Sequence, residues 1–184
     1  MIETNRLILR DWKEEDFAPF AQLNADPEVM RYFPSTLTLE ESNEQAMRIQ
    51  SLITERGWGF WAVELKATGQ FIGFVGLHSQ DERSGIPCAP FVEIGWRLSS
   101  EYWGKGYAPE AALGALEFAF CKLGSPSVYA FTALPNKPSQ RVMSKLGMEN
   151  VNQNFDHPKL PKGHDLERHC LYKISREQWF QKSK

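Results

Sequence analysis

The sequence has little that would tie the protein to a membrane or to a disulfide framework. Its three cysteines, Cys88, Cys121 and Cys170, are odd in number and show no C-x-x-C spacing, so neither a disulfide framework nor a zinc site is expected. No apolar run is long enough to span a bilayer, and the N-terminus lacks a signal-peptide pattern. We therefore expect a cytoplasmic protein with no membrane partner.

An excess of positive charge is also missing. Lys and Arg number 21 against 23 for Asp and Glu. Because non-specific nucleic-acid binding depends on a basic surface, no nucleic-acid partner is expected. Hydrophobic residues make up 42% of the chain, and it contains no linker, repeat or low-complexity tract. This composition predicts a single globular domain over residues 1–184.

Periodicity and capping residues predict alternating strands and helices. Strands are predicted at residues 4–10, 59–65, 70–79, 91–98, 128–134, 148–155 and 168–174. Helices are predicted at 12–23 with Asp11 as N-cap, at 38–57 between Thr38 and Gly57, after the glycines near 105 as far as 123, and at 137–146. The β–α–β order makes the strands at 91–98 and 128–134 parallel, so the fold class is α/β with a mixed sheet.

A glycine-rich turn, WGKGYA at residues 103–108, joins the strand at 91–98 to the following helix. Two glycines there let the backbone approach a ligand closely. They also leave N–H groups pointing outward at the positive end of a helix dipole. Such a turn holds a phosphate or pyrophosphate without many basic side chains.

A second motif, NKPSQRVMSKLGM at residues 136–148, forms a well-capped short helix. Asn136 has the chemistry of an N-cap that accepts the N–H of Ser139, and Pro138 suits a first helical turn. Gly147 is a natural residue to follow the helix.

Together the two motifs resemble the GNAT superfamily of N-acetyltransferases, and within it the RimJ/RimL-type branch. The superfamily motif reads Gln/Arg-x-x-Gly-x-Gly/Ala. Gly106 and Ala108 fill its small positions, and Trp103 replaces the usual Gln/Arg, as is common in that branch. Further matches at residues 24–32, 93–96 and 171–174 follow in the right order. The resemblance implies a mostly antiparallel sheet flanked by helices, with the fourth and fifth predicted strands as a splayed parallel pair.

The resemblance also implies acetyl-CoA as co-substrate. The backbone at residues 96–98 would bond the pantetheine arm, and residues 103–108 would cradle the pyrophosphate. Asn136 would contact the pantetheine, while Lys105 and Arg141 would attract phosphate as surface charges. The implied cofactor-binding residues are Trp96, Arg97, Leu98, Trp103, Gly104, Lys105, Gly106, Tyr107, Ala108, Asn136 and Arg141.

The chemistry requires a base, because a lysine-like amine, with a pKa of about 10.4, is protonated at neutral pH and is then no nucleophile. Glu93 is the candidate base, since its strand would flank the thioester, although strand alternation turns it equally well away. Ser139 matches the position at which RimL-type enzymes are thought to place the proton donor for the leaving thiolate. Much of the wider superfamily uses a tyrosine instead.

The first helices and their loop would form the acceptor wall in this fold. Most of the aromatic residues there are expected in the core, and Tyr32, Phe33 and Trp61 are the candidate substrate contacts. The spacing of the histidines at 157, 164 and 169 matches no tight ligand motif, so no metal is expected. No cysteine lies beside an evident base, which favours direct transfer over an acyl-enzyme.

The sequence thus predicts an acetyl-CoA-dependent N-acetyltransferase that moves an acetyl group directly to a primary amine. The acceptor is either the α-amine of a protein or peptide or the amine of a small molecule. A non-catalytic acyl-CoA-binding sensor is the alternative from another class, and an RNA-acetylating enzyme is disfavoured by the slight negative charge. Homodimers are common in the superfamily, but no residue here identifies an interface.

Overall fold

Residues 1–182, the part of the chain that the computed structural model describes, contain nine strands and five α-helices. The chain divides into two compact units. The first is Met1–Leu77 with Gly95–Ala115, and the second is His78–Ile94 with the chain from Leu116 onward. The expectation of a single domain stays a prediction.

The first unit carries an antiparallel meander. Strand β1 (Ile2–Glu3) pairs with β2 (Leu7–Arg10), β2 with β3 (Phe60–Leu65), and β3 with β4 (Phe71–Gln80), which runs on into the second unit. The strand predicted at 4–10 is confirmed only over Leu7–Arg10, and residues 4–6 are not part of it. The chain turns there, because the N–H of Thr4 bonds to the carbonyl of Leu7 at 2.9 Å.

Two helices complete this unit. Helix α2 (Leu39–Arg56) is confirmed: the side chain of Thr38 accepts the N–H of Glu41, and Gly57 ends the helix with a φ of +85°. Helix α1 (Phe17–Asn24) starts later than predicted, after a 3-10 turn at Glu14–Asp16.

The predicted cap at Asp11 is wrong, because α1 begins only after Asp16, whose side chain makes no capping bond to this helix. The carboxylate of Asp16 accepts the N–H of Lys13 at 2.8 Å and pairs with Arg10 at 2.8 Å, and the residue is buried. The indole of Trp12 is also buried, and its Nε1 donates to the carbonyl of Phe60 at 2.8 Å. The bonds from Trp12 and Lys13 therefore fix residues 11–13 as a connecting segment rather than as a helical turn.

A glycine on β4 sets how closely the end of β5 (Phe91–Leu98) approaches. Gly73 has a φ of +140°, and a Cβ there would overlap the carbonyl oxygen of Arg97. Only a residue without a side chain permits this approach. Gly73 thereby positions the backbone of residues 97 and 98 within the first unit.

The second unit contains the parallel pair. The start of β5 pairs with β6 (Ser127–Ala133) through Val92 with Val128 and Glu93 with Tyr129. Both strands continue beyond these pairs, and β6 pairs antiparallel with β9 (Arg168–Ser175) along its length. The prediction of a mixed, mostly antiparallel sheet with a parallel pair and flanking helices is confirmed.

The remaining elements of this unit lie beside β9. Two short strands, β7 (Glu149–Asn150) and β8 (Phe155–Asp156), pair with it. The single strand predicted at 148–155 is wrong, because Asn152 takes a left-handed φ of +59° between them. Helix α3 (Tyr107–Cys121) enters from the first unit, and α4 (Lys137–Lys145) and α5 (Arg176–Lys182) follow in the chain. Within residues 1–182, no helix combines the length and the apolar character needed to cross a membrane.

Candidate active site

The glycine-rich turn lies between the end of β5 and the start of α3. After a 3-10 turn at Ser100–Tyr102, Gly104 and Gly106 take φ values of +73° and +79°, which side chains disfavour. Within the described residues 1–182, the N–H groups of residues 104–108 donate no hydrogen bond. A Cβ on Gly104 would meet nothing within 4 Å, so the space beside Gly104 is open. Free N–H groups at the start of a helix form an anion-binding site of the kind that phosphates occupy.

Three residues brace this turn. Nε of Arg6 donates to Glu110 at 2.7 Å, its Nη1 donates to the carbonyl of Lys105 at 2.9 Å, and its guanidinium lies 4.4 Å from the ring of Tyr107. The hydroxyl of Thr4 and the N–H of Arg6 both bond to the other carboxylate oxygen of Glu110. Burial alone would raise the pKa of Glu110, but the bonds from Thr4 and Arg6 outweigh it and lower that pKa.

This brace was not predicted from the sequence. Its partners lie more than a hundred positions apart, at a separation of 104 for Arg6 and Glu110. Local patterns report only on neighbours along the chain, so no signal in the sequence itself joins the two residues.

Trp103 ties the turn to the strand that precedes it. Its indole N–H donates to the carbonyl of Leu98 at 3.0 Å, and the side chain remains 45% exposed. Trp96 is half-buried, while Lys105 and Arg141 are exposed. The predicted cofactor-binding residues of the first unit, 96–98 and 103–108, are therefore joined by a direct hydrogen bond.

Arg97 is buried, and its guanidinium faces neutral groups. Nη1 donates to Oδ1 of Asn24 and to Oε1 of Gln45, both at 2.9 Å. Asn24 is itself fully buried, and its Nδ2 donates to the hydroxyl of Ser42 at 3.0 Å. Burial lowers the pKa of Arg97 to about 10.

Asn136 and Ser139 come together at the start of α4, in the second unit. Oδ1 of Asn136 accepts the N–H of Ser139 at 3.2 Å, which confirms the predicted N-cap. Nδ2 of Asn136 donates to the hydroxyl oxygens of Thr132 at 2.9 Å and of Ser139 at 3.1 Å. Because the Ser139 oxygen accepts this bond, its own hydrogen is left to donate elsewhere.

Glu93 lies on β5 in the second unit and is half-buried. Burial raises its pKa to about 7, against the opposing effects of a hydrogen bond from Gln80 and the charge of Lys159. The Gln80 bond joins Nε2 to Oε2 of Glu93 at 2.7 Å. A carboxyl group that titrates near neutrality is suited to act as a general base.

The three candidate substrate contacts lie in different surroundings. Phe33 is 39% exposed, and its ring lies 4.5 Å from the guanidinium carbon of Arg97. Tyr32 is half-buried, with the guanidinium of Arg31 at 5.4 Å from its ring. Trp61 is only 3% exposed and belongs to the core of the first unit. A substrate contact at Trp61 stays a prediction.

His157, His169 and Cys170 make local contacts within the second unit. The rings of His157 and His169 lie 4.9 Å apart, and burial lowers the pKa of His157 to about 4. Cys170 is buried, which raises its pKa, and its thiol faces the carbonyl of Thr132 at 3.6 Å. Among the residues that the structure describes, no group of three His, Cys, Asp or Glu side chains could hold a metal ion.

Residues 6–149 match a family profile described as the acetyltransferase (GNAT) domain. The chain is 34% identical over 148 residues to the uncharacterized protein YkkB of Bacillus subtilis, covering 79% of this chain and 83% of that protein. It is 30% identical over 188 residues to the FsC-acetyl coenzyme A-N(2)-transacetylase of Aspergillus fumigatus, covering 100% of this chain and 79% of that protein.

Solved structures show the same architecture. A GNAT-family acetyltransferase from Bacillus anthracis matches with a TM-score of 0.78 and 26% identity, covering 96% of this chain and 98% of that one. The spermidine N-acetyltransferase of Vibrio cholerae, solved with CoA and spermine, matches with a TM-score of 0.73 over 95% of this chain and 98% of that one. Its identity is 18%, so this match shows the fold alone. From the family match across residues 6–149 and the shared fold, it follows that the chain belongs to the GNAT acetyltransferase family.

Proposed function

We propose that this protein transfers an acetyl group from acetyl-CoA directly to a primary amine. The observation that carries the proposal is the open array of N–H groups at residues 104–108, at the start of α3. GNAT enzymes use acetyl-CoA, and this array has the donor chemistry that its pyrophosphate requires. The exposed charges of Lys105 and Arg141 would add attraction for the phosphates.

The pantetheine arm is assigned to the end of β5. The backbone of Trp96, Arg97 and Leu98 would bond the arm as an added strand does, and one of these N–H groups would face the thioester oxygen. Asn136 would contact the arm while its carboxamide holds Ser139. The tie between Trp103 and Leu98 supports this assignment, because it joins the phosphate-binding turn to the strand end.

Glu93 is assigned as the general base. Its carboxylate would take a proton from the acceptor ammonium, directly or through water, and free the nitrogen lone pair to attack the thioester carbon. A pKa of about 7 supports this role, since the group is then both available as a base and basic enough near neutral pH. Without this step the acceptor remains protonated and unreactive.

Ser139 is assigned as the proton donor. Attack forms a C–N bond and an oxyanion, which backbone N–H groups stabilise. When the C–S bond breaks, the electron pair stays on sulfur and the thiolate takes the hydroxyl proton of Ser139. The acylated nitrogen then gives up its extra proton, which restores the Ser139 hydroxyl, and Glu93 releases the proton that it took. The products are the acetamide, free coenzyme A and one proton. The bond from Asn136 supports this role, because it leaves the Ser139 hydrogen free to donate.

The acceptor is a primary amine on a peptide terminus or a small molecule, and we place the protein in the RimJ/RimL-type branch. The Aspergillus relative is named as an acetyl coenzyme A-N(2)-transacetylase, which supports acetyl-CoA as donor and nitrogen as acceptor. Tyr32, Phe33 and Trp61 remain the proposed acceptor contacts, and the exposure of Phe33 supports its share of that role.

The proposal is tested by acetyl transfer measured by mass spectrometry. The enzyme is incubated with acetyl-CoA and a panel of peptides with varied N-termini, free amino acids, polyamines and aminoglycosides. We expect an acetylated amine and one equivalent of free coenzyme A thiol. Saturable acetyl-CoA binding with no acetylated product across the panel would favour the sensor function. If the protein neither binds acetyl-CoA nor forms an acetylated product, the proposal is contradicted.

A further inference from the structure

Arg97 places a cation inside the first unit without an anion to balance it. The residue is 9% exposed, and within residues 1–182 no carboxylate lies within ion-pair distance of its guanidinium. Its hydrogen bonds go to the neutral amide oxygens of Asn24 and Gln45. A buried charge without a counter-charge is costly, so its retention calls for an explanation.

The unused edge of the guanidinium has a specific shape. Both hydrogens of Nη1 are engaged by Asn24 and Gln45, which leaves the edge formed by Nε and Nη2. Nε is fully buried and has no hydrogen-bond partner among the described residues, and the guanidinium's hydrogen bonds to these residues both come from Nη1. The Nε and Nη2 hydrogens point in the same direction. This is one of the edges to which a carboxylate binds through two parallel hydrogen bonds.

The guanidinium is held in place by its neighbours. Asn24 is fixed by the hydroxyl of Ser42 at 3.0 Å, and the rings of Phe33 and Phe74 lie 4.5 Å and 5.2 Å from the guanidinium carbon. Such a site is preorganised, because its donors are oriented before a ligand arrives. Phe33 is 39% exposed, so one of the two rings beside the guanidinium reaches solvent.

We propose that the side chain of Arg97 binds a carboxylate of the acceptor, so that the acceptor is a primary amine that also carries a carboxylate. The inference rests on the proposed function, which assigns the backbone of the same residue to the pantetheine arm beside the thioester. The phosphates of acetyl-CoA have their own donors at residues 104–108. A polyamine carries no carboxylate and would meet the buried cation of Arg97 unfavourably.

The first test compares acceptors in matched pairs. Methionine, phenylalanine and aspartate, and peptides with an acidic second residue, are each compared with the corresponding carboxamide. We expect kcat/KM to favour the carboxylate member by about tenfold to a hundredfold, which corresponds to a hydrogen-bonded charge pair. Equal kcat/KM values, or a preference for carboxamides, would overturn the inference.

A variant that keeps the fold separates recognition from structure. Gln45→Glu keeps an oxygen acceptor beside Nη1 of Arg97 and supplies the missing negative charge from within the chain. We expect it to raise the melting temperature and to abolish the preference for carboxylate acceptors. Asn43→Asp adds the same charge to the same helix, α2, and should leave that preference intact. If Arg97 were only structural, Gln45→Glu would stabilise the protein and leave the acceptor preference unchanged.

Binding of a carboxylate to Arg97 can also be measured directly, without turnover. The Nε–H signal of Arg97 is identified by its loss in Arg97→Lys and followed by NMR during titration with sodium formate, with sodium chloride as control. We expect a saturable shift with formate in the wild type and none in Gln45→Glu. Absence of a shift with formate would overturn the inference even if amines are acetylated. If no amine is acetylated, the proposed function fails, and the formate titration still decides the role of Arg97.

Discussion

Nδ2 of Asn136 donates a hydrogen bond to the hydroxyl oxygen of Ser139 at 3.1 Å, and Oδ1 of the same side chain accepts the N–H of Ser139 at 3.2 Å. One carboxamide therefore fixes both the backbone and the side chain of the serine. The hydroxyl oxygen acts as acceptor, so its hydrogen is directed away from Asn136. An N-cap that serves the helix also orients the hydroxyl of Ser139, the proposed proton donor.

Replacing Ser139 with alanine should lower kcat by about a hundredfold, the lower end of what a general acid contributes. The KM for acetyl-CoA should change little, because the backbone N–H that Asn136 accepts is kept. Steady-state kinetics with an acceptor from the panel measure both constants. Ser144→Ala, an exposed position on the same helix, is the control and should behave like the wild type. An unchanged kcat in Ser139→Ala would remove the assigned role.

The activity of the wild type should rise with pH up to about 7 and then level off, since Glu93, the proposed base, accepts a proton only when ionised and has a pKa of about 7. Below that pH, kcat/KM should fall about tenfold per unit. In Glu93→Gln, kcat/KM should no longer depend on pH in this range, and its value should be about a hundredfold lower than in the wild type. Glu149→Gln, at an exposed position, should keep the wild-type profile. If kcat/KM still falls below pH 7 in Glu93→Gln, the pH dependence belongs to another group.

The same carboxyl group should make stability depend on pH. Its folded pKa of about 7 lies above the ordinary value of 4.5, so between these values the folded chain holds a proton that the unfolded chain has released. The free energy of unfolding should therefore fall as pH rises through this window. In thermal melts, the Tm of Glu93→Gln minus the Tm of the wild type should increase as the pH is raised from 4.5 to 7. A constant difference would mean that the pKa of this carboxyl group is not raised in the folded chain.

Replacing Gly104 with alanine tests the phosphate-binding turn. Gly104 and Gly57 both have left-handed φ values, +73° and +85°, and an added Cβ meets nothing within 4 Å at either position. Each alanine variant should lose about 1 kcal/mol of stability from backbone strain. Only Gly104→Ala should also raise the KM for acetyl-CoA, by about tenfold or more, because its Cβ would enter the space assigned to the pyrophosphate. Equal KM values in the two variants would contradict the assignment.

Local chemistry made much of the fold predictable. The strand at 91–98 and the helix between Thr38 and Gly57 are confirmed, because each is specified by residues adjacent in the chain. The Asn136 cap is confirmed for the same reason. The glycines near residue 105 were also found this way, since positive φ at a strand-to-helix turn has a compositional signal.

Long-range partners account for what the sequence did not predict. Helix α1 begins at Phe17 rather than at Trp12, and the buried Asp16 before it pairs with Arg10, a contact that a capping pattern does not include. The amide cage around Arg97 depends on Asn24 and Gln45, on two different helices. The raised pKa of Glu93 depends on burial, which periodicity does not measure.

The most direct test of the central claim, that residues 104–108 hold acetyl-CoA, is a calorimetric titration of the protein with acetyl-CoA. We predict saturable binding of one acetyl-CoA per chain to the wild type, at least tenfold weaker binding to Gly104→Ala, as a rough estimate for one blocked phosphate contact, and wild-type binding to Gly57→Ala. Absence of saturable binding to the wild type, or equal affinity in all three proteins, would contradict the account.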